Sequence, residues 1–210
     1  MKILYLDTSS NYLYAGVVSN DRLLREIKLQ LDKELSIFTL PKIKQLLEDA
    51  YVKPTEIDKI IVTNGPGSFT GIRIGMTIAK TFCWALNIPL ITITSLEAMS
   101  LSVITDKKYF VPIIDARRNY VYSAIYSSDY SPILKNQHIK IEELENHLKK
   151  IENQFVIITN DQIEIAGAKL PYNPDILKIV MHFKSRKPVD PHIAEPEYLK
   201  KTEAEERLSQ

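Results

Sequence analysis

The sequence predicts an α/β protein built from two similar lobes, each a mixed β-sheet flanked by helices. Short β-branched runs alternate with helical patterns in the first half, which is typical of a sheet covered by helices. A strand, an aspartate, a turn and a second strand occur in residues 6–15 and again in 114–123. The Asp, the Asn and both Tyr residues of these segments match at one constant offset, so the halves are predicted to be duplicated units.

The first half is predicted to form an N-terminal lobe over residues 1–105. Pro41 leaves two interpretations of its first helix. Either the helix begins near Leu40 with the proline in its first turn, or it extends further upstream and bends at the proline. In chain order, the predicted elements are strands at 3–6, 12–18 and 23–30, a helix over 40–50, a strand at 59–63, a helix ending near residue 86, a strand at 89–94 and a short helix at 95–104.

The second half is predicted to form a C-terminal lobe over residues 106–210 that includes a charged tail, Lys201 to Gln210. The boundary is placed at residues 104–108, where a polar run interrupts the periodic pattern. After the repeated hairpin, the predicted elements are a strand at 133–141, a helix at 142–151, a strand at 155–159, a helix at 175–183 and an extended segment with three prolines at 184–196.

Residues 65–75, with the sequence GPGSFTGIRIG, are the most distinctive segment of the chain. Its first glycines predict a turn, and Ser68 or Thr70 is predicted to cap the helix that follows. The segment is not a Walker A loop, because Ile72 stands where that motif has lysine. The spacing of its glycines also misses the dinucleotide-binding fingerprint by one residue, so it is a poor match to a phosphate-binding loop.

Two glycines within the predicted helix, Gly71 and Gly75, lie four residues apart on one face. A glycine costs about 1 kcal/mol relative to alanine inside a helix, so both positions imply a close approach by something else. The approaching surface is either this protein's own sheet or a helix of a partner subunit, and the two alternatives are compatible.

The glycine segment and several later motifs together resemble the TsaB (YeaZ) family of bacterial proteins. That family takes part in making threonylcarbamoyladenosine in tRNA, and its fold is similar to that of the actin, hexokinase and sugar-kinase superfamily. The resemblance covers almost the whole chain. The further matching motifs are Ser95-Leu96-Glu97-Ala98, Asp115-Ala116-Arg117-Arg118, Glu195-Pro196 and Tyr198-Leu199-Lys200.

The resemblance implies a non-catalytic scaffold subunit that binds and activates the TsaD subunit during threonylcarbamoyl transfer to the adenosine beside the tRNA anticodon. It also implies a TsaE ATPase in the assembly and an indirect contact with tRNA. Whether the isolated protein pairs with a second copy as a homodimer stays open. An alternative function from a different class is a small ATP-dependent phosphotransferase of the same fold that uses Asp7 and Asp115.

The two repeated turns mark a candidate phosphate site, because active members of that superfamily grip phosphates with such turns across a cleft. If the halves are duplicated, Asp7 and Asp115 should lie on turns that face each other. Neither turn contains glycine, which instead favours aspartates that bond the backbone N–H groups of their own turns. The residues of this vestigial nucleotide or phosphate site are Asp7, Thr8, Ser9, Ser10, Asp115, Arg117 and Arg118.

A docking surface for a partner is predicted on the glycine helix and on the helix before it. If that earlier helix continues upstream of Pro41, Phe38 lies opposite the core residue Leu47 on a polar face. Phe38 is then either an anchor for another chain or a side chain that folds against its local neighbours. The predicted interface residues are Phe38, Gly71, Ile72, Arg73, Gly75 and Met76.

No metal, cofactor or catalytic group is predicted. The histidines at 138, 147, 182 and 192 lack the spacing of metal ligands. The chain has 27 basic and 26 acidic residues, so no overall field attracts it to nucleic acid or to a membrane. A basic cluster at Lys184, Arg186 and Lys187 is either a contact with tRNA phosphate or ordinary solvated surface.

The compartment is predicted to be the cytoplasm. The single cysteine, Cys83, suits a reducing environment, and the beginning of the sequence lacks signal-peptide features. Apolar runs are also too short to span a bilayer, so no membrane association is predicted.

Overall fold

The computed structural model describes residues 1–200 and contains two mixed five-stranded sheets. The predicted charged tail, Lys201 to Gln210, lies outside the described residues. The strands are Lys2–Asp7 (β1), Tyr12–Ser19 (β2), Arg22–Gln30 (β3), Lys59–Thr63 (β4), Leu90–Ile93 (β5), Tyr109–Asp115 (β6), Tyr120–Ser127 (β7), Pro132–Lys140 (β8), Phe155–Ile158 (β9) and Lys169–Leu170 (β10). The α-helices are Leu35–Asp49 (α1), Phe69–Leu86 (α2), Ser95–Ser100 (α3), Ile141–Lys150 (α4) and Ile176–Phe183 (α5).

The two sheets have the same topology. The first has the strand order β3-β2-β1-β4-β5 and the second has the order β8-β7-β6-β9-β10. In each sheet the first three strands along the chain pair antiparallel, and the last two join them in parallel. The predicted fold class, a two-lobed α/β fold with duplicated mixed sheets, is confirmed. The short strand β10 was not predicted.

Helices cover both faces of the first sheet. Side chains alternate along a strand, so Leu4 and Leu6 of β1 face the core beneath α1 and α2, whereas Ile3 and Tyr5 face the opposite core. Helix α3 lies between the two sheets. Its Ala98 belongs to the core of the first sheet, while Leu96 and Met99 pack against the second. Helix α4 covers the outer face of the second sheet.

Helix α5 packs on the first sheet, although the predicted boundary assigned it to a C-terminal lobe over residues 106–210. Its apolar side chains lie in the same core as Ile3 and Tyr5, and its backbone approaches β1, β2 and β3. The reason is that the six-residue α3 is too short to cover the inner face of the first sheet alone. The second lobe therefore consists of residues 109–170, and the chain returns to the first lobe afterwards. The α5 residues in this core are Ile176, Ile179, Val180 and Phe183.

Helix α1 begins at Leu35 and continues through Pro41, so it extends upstream of the proline as the second interpretation predicts. Thr39, one turn after Leu35, donates its hydroxyl to the Leu35 carbonyl at 2.6 Å. The buried side of the helix includes Ile43 and Leu47. The opposite side faces away from the sheet and includes Ile37 and Phe38, which lie upstream of the proline.

The predicted starts of the helices after α1 are correct to within two residues. Ser68 rather than Thr70 caps α2, since its Oγ accepts a hydrogen bond from the Gly71 N–H at 3.2 Å. Thr94 caps α3 through a reciprocal pair with Glu97, at 3.1 and 2.8 Å. No helix among residues 1–200 has the length and apolar character needed to cross a membrane.

Candidate functional site

The glycine segment encloses the turn between β1 and β2. A Cβ atom on Gly67 would lie 2.1 Å from the Ser9 carbonyl oxygen, and one on Gly71 would lie 2.0 Å from the Thr8 carbonyl oxygen. A Cβ on Gly75 would lie 2.4 Å from the Thr8 hydroxyl oxygen. These three glycines therefore let the β1–β2 turn lie directly against the start of α2.

Hydrogen bonds fix this contact between the turn and α2. The Ser68 N–H donates to the Ser9 carbonyl at 2.7 Å, and the Thr8 hydroxyl donates to the Gly71 carbonyl at 2.7 Å. Thr8 is buried and its hydroxyl is committed to the helix, so it is not available to a phosphate group. Of the two predicted explanations for the helical glycines, close contact within this protein is the one observed.

Four of the six predicted interface residues are therefore placed inside the chain, which corrects that prediction. The buried face of α2 packs against the first sheet and its β1–β2 turn, and it carries Gly71, Ile72, Gly75 and Met76. The face of α2 that carries these four residues is covered by its own lobe rather than left for a partner. Arg73 is exposed, but its Nε donates to the hydroxyl of Tyr198 at 2.8 Å.

Asp7 is buried within the first lobe, with 1 % of its surface exposed. One carboxylate oxygen accepts the Ser9 N–H at 2.8 Å, and the other faces the hydroxyls of Tyr5 at 3.4 Å and Tyr172 at 3.3 Å. Tyr172 reaches Asp7 from the segment before α5, where the Asn160 amide pairs with its backbone at 2.8 and 3.1 Å. Burial, and the nearby carboxylate of Asp7, raise the pKa of the Tyr5 phenol well above its usual value. The tyrosines therefore stay protonated and seal Asp7.

Asp115 makes the same local hydrogen bond as Asp7, but its side chain lies on the other face of its sheet. Its carboxylate accepts the N–H of Arg117, two residues on, at 2.7 Å. In the first hairpin Asp7 pairs with Tyr14, whereas Asp115 pairs with Val121, so the second hairpin is one residue tighter. A register difference of one residue places side chains on the opposite face of a sheet.

The two aspartates consequently do not face each other. Tyr5 belongs to the core between the lobes, and Asp7 follows it on that face; Ile113 belongs to the outer core beneath α4, and Asp115 follows it there. Three successive residues close the tighter turn with positive φ angles of 65°, 54° and 61°. They are Arg117, Arg118 and Asn119.

A cleft of about 560 Å³ separates the lobes, and both repeated turns border it. Of the residues predicted for a phosphate site, Ser9, Ser10, Asp115 and Arg117 line this cleft, whereas Asp7 and Thr8 do not. Arg118 borders a second groove on the α4 side instead. The turns thus meet at one cleft as the duplication predicts, but their carboxylates do not form a pair within it. The cleft is lined in addition by Asn11, Tyr12, Gly67, Ser68, Phe69, Ser95, Met99, Ile113, Ile114, Tyr122, Asn160, Asp161 and Tyr172.

The segment after α5 crosses the first lobe and covers the glycine segment. Val189 pairs with Leu90 at the edge of the sheet, and the Glu197 N–H donates to the Asn64 carbonyl at 2.7 Å. A Cβ on Gly65 would lie 2.7 Å from the Glu197 carbonyl oxygen, so a glycine at position 65 lets the segment after α5 lie directly against the chain. The ring of Tyr198 then stacks on Phe69 with centroids 4.9 Å apart.

The basic cluster predicted near residue 186 is largely neutralised within the fold. Arg186 forms a salt bridge with Glu97 at 2.6 Å, and Lys184 forms one with Asp21 at 2.7 Å. Of the three basic residues, Lys187 is exposed to solvent, whereas Lys184 and Arg186 are partly buried. The ion pairs therefore favour a structural role for Lys184 and Arg186 over a contact with tRNA phosphate.

Glu197 is expected to make the stability of the protein depend on pH. Its partial burial raises its pKa, and the nearby Glu97 carboxylate raises it further. When folding raises the pKa of a carboxyl group, the folded state favours the protonated, neutral form. The free energy of unfolding is then highest below the ordinary pKa and falls as the pH rises through the raised pKa. We therefore expect Glu197→Gln to match the wild type below about pH 4.5 and to be more stable at neutral pH. Urea titrations at both pH values test this, and a constant difference would contradict it.

The outer face of α1 and α2 carries apolar side chains that no element of the described chain covers. Ile37 is 64 % exposed and Phe38 is 37 % exposed, while Leu40 and, on α2, Trp84 are also exposed. The predicted position of Phe38 on the outer face agrees with the structure, and its partial exposure leaves both predicted roles, anchor and local contact, open. We refer to Ile37, Phe38 and Leu40 of α1 as the outer patch.

An apolar groove of about 650 Å³ adjoins the outer patch between α1 and α2. Tyr51 borders it with 92 % of its surface exposed, in a left-handed conformation just after α1. The sequence analysis did not predict this groove, because Leu47 was interpreted only as a core residue and the residues after the helix were not considered as a surface. The exposed tyrosine directly after a predicted helix end was the available signal. The other groove residues include Leu40, Leu47, Val52, Pro54 and Phe82.

Within residues 1–200, no group of three or more His, Cys, Asp or Glu side chains is arranged to hold a metal ion. Cys83 is buried, and burial raises the pKa of its thiol to about 12, so it stays protonated at neutral pH.

Comparison with known proteins gives one consistent result. The sequence matches a family model described as TsaD, tRNA N6-adenosine threonylcarbamoyltransferase, over residues 32–176. A Bacillus subtilis protein named tRNA threonylcarbamoyladenosine biosynthesis protein TsaB is 30% identical, and the match covers 98% of this chain and 96% of that protein. A protein of the same name from Buchnera aphidicola subsp. Schizaphis graminum is 26% identical over 74% of this chain and 77% of its own length.

Two solved structures from Pseudomonas aeruginosa have the same fold. One is YeaZ, with a TM-score of 0.80 and 21% sequence identity, which covers 94% of this chain and 99% of its own. The other is an uncharacterized protein with similarity to peptidase YeaZ, with a TM-score of 0.80 and 20% identity, which covers 95% of this chain and 99% of its own.

Proposed function

The chain belongs to the TsaB (YeaZ) family and takes part in tRNA threonylcarbamoyladenosine biosynthesis, and on this premise we propose that it is a non-catalytic subunit that binds and activates a TsaD-like transferase. The observation that carries this proposal is the outer patch with its adjoining groove, an apolar surface on α1 and α2 that the described chain leaves uncovered. Exposed apolar patches of this kind are typical of protein–protein contacts.

The partner in this proposal is a chain of related fold. The TsaD family model matches more than half of this sequence, which supports descent of the two subunits from a common ancestor. The partner then supplies the transfer chemistry, and a TsaE-like ATPase joins the assembly. The tRNA substrate is contacted through the partner. In the absence of that partner, the outer patch pairs two copies of this chain.

The competing function, a small ATP-dependent phosphotransferase using Asp7 and Asp115, is not favoured by the geometry. Asp7 is sealed by Tyr172, and the two carboxylates lie on opposite faces of their sheets. We expect the purified protein alone to turn over no ATP with Mg²⁺. Turnover that is abolished by Asp7→Ala would restore the phosphotransferase.

The experiment that tests the proposed function measures affinity for a TsaD-like partner by calorimetry or co-elution. Ile37→Asp and Phe38→Asp place a charge in the outer patch, and each is expected to weaken association by about 2 kcal/mol or more. Ile37→Asp is the cleaner variant, because Ile37 is more exposed and its replacement should leave the melting temperature of the isolated chain nearly unchanged.

Ile104→Asp is the matched control, since Ile104 is equally apolar and almost fully exposed but lies in the connection between the lobes. It should bind the partner as the wild type does. If Ile37→Asp and Phe38→Asp also retain wild-type affinity, the docking surface lies elsewhere. If all three variants lose affinity together, the loss reflects exposed charge in general rather than this surface.

A further inference from the structure

Within residues 1–200 the two lobes are joined by two stretches of chain, which by themselves would form a hinge. Residues 101–108 lead from α3 to β6, and residues 171–175 lead from β10 back to α5. Lobes that are joined in this way are expected to move relative to each other unless a substantial apolar interface holds them. The contacts between the lobes therefore determine whether the cleft has one width or several.

Tyr172 makes one bridge from the second lobe to the first. Its backbone is held by Asn160, which follows β9. The Tyr172 N–H donates to the Asn160 Oδ1 at 2.8 Å, and the Asn160 Nδ2 donates to the Tyr172 carbonyl at 3.1 Å. The side chain reaches into the first lobe, where its hydroxyl donates to Asp7 at 3.3 Å and its ring meets that of Tyr14 edge-on, with centroids 5.5 Å apart. The ring packs against the core that the first sheet shares with α5 and also against the core between α3 and the second sheet.

Tyr130 makes a second bridge from the turn between β7 and β8. Its ring stacks on Phe110 of the second sheet with centroids 5.5 Å apart, and it meets the ring of His182 on α5 edge-on at 5.4 Å. The ammonium group of Lys178, also on α5, lies 5.2 Å from the centroid of the Tyr130 ring, within the range of a cation–π contact. Tyr130 therefore packs against the same two cores as Tyr172.

The two tyrosines hold the first lobe at different elements. Tyr172 contacts β1 and β2 through Asp7 and Tyr14, whereas Tyr130 contacts the side of α5. A single bridge would act as a pivot, but two separate bridges fix an angle. We propose that Tyr130 and Tyr172 form a conformational lock that holds the two lobes at one angle and the cleft at one width. The second lobe is then presented to a partner in a single orientation, which lowers the entropic cost of association.

This inference goes beyond the proposed function and does not depend on it, because neither tyrosine belongs to the outer patch or its groove. The test measures distances between two spin labels on the full chain by double electron–electron resonance. Thr77→Cys on α2 and Lys135→Cys on β8 place one label on each lobe at exposed positions. Cys83 is buried, so it should not react with the label. This labelled parent chain is expected to give a single narrow distance distribution.

Tyr130→Ala and Tyr172→Ala, measured where circular dichroism shows a folded chain, should each widen the distance distribution at least about twofold, because the lobes can then turn about their connections. Asn160→Ala is a milder variant. It removes only the two hydrogen bonds that hold the Tyr172 backbone, and it should widen the distribution as well. It keeps the test decisive if Tyr172→Ala does not fold.

Phe155→Ala is the matched control, because Phe155 is a buried aromatic residue that packs in the outer core of the second lobe. This variant should be less stable than the parent but should give a distribution of the same width. The proposal is overturned if the parent distribution is already broad, or if Tyr172→Ala and Asn160→Ala keep the parent width. It is also overturned if Phe155→Ala widens the distribution as much as they do.

Discussion

Gly71→Ala is expected to destabilise the folded protein by about 3 kcal/mol, although alanine is the better helix former by about 1 kcal/mol. The new Cβ would lie 2.0 Å from the Thr8 carbonyl oxygen, which is backbone and cannot rotate away. The start of α2 and the β1–β2 turn would have to separate, and the hydrogen bonds that join them would lengthen. Urea unfolding followed by circular dichroism measures the loss.

Thr77→Ala is the control for Gly71→Ala, because Thr77 lies on the exposed side of the same helix. Its effect should stay within about 0.5 kcal/mol. A Gly71→Ala variant as stable as Thr77→Ala would show that the glycine segment does not enclose the turn.

Gly75 offers a second test of the same contact, because removing the Thr8 hydroxyl should restore the stability that Gly75→Ala loses. A Cβ at this position meets the Thr8 hydroxyl oxygen at 2.4 Å, whereas the next atom of Thr8 lies 3.7 Å away. Gly75→Ala should therefore destabilise the wild type but not a Thr8→Ala background. Thr8→Ala alone should cost about 1 kcal/mol for the lost hydrogen bond to Gly71. Additive effects in the double variant would contradict the predicted contact.

Ile179→Ala is expected to destabilise the first lobe by about 2–5 kcal/mol, since Ile179 is fully buried in the core that α5 shares with the first sheet. The effect should be local. Amide hydrogen exchange is expected to accelerate in β1, β2 and β3, which α5 contacts, although the mutated residue follows the second lobe in sequence.

Leu144→Ala is the matched control for Ile179→Ala. Leu144 is also fully buried, but it lies on α4 in the outer core of the second sheet. Its substitution should accelerate exchange in β6, β7 and β8 instead. If Ile179→Ala accelerates exchange in the second sheet, α5 belongs to the C-terminal lobe after all.

Much of the candidate site was predictable from the sequence, but its internal geometry was not. The repeated Asp and Tyr pattern placed both turns at one cleft, and helical spacing placed Phe38 on the outer side of α1. The pattern could not predict that the second hairpin is one residue tighter. That difference depends on the backbone conformation of Arg117 to Asn119, where three residues adopt positive φ without a glycine.

The sequence by itself determined the fold class, the duplication and the family, because periodic apolar residues and repeated turn motifs are local properties of the chain. Only the tertiary structure decided what covers each apolar face. Gly71 and Gly75 accommodate a turn more than sixty residues earlier in the chain, and α5 completes the first sheet rather than the second. The physical reason is that periodicity specifies which side of an element must be buried, whereas the surface that buries it is chosen by long-range packing among all the elements that compete for it.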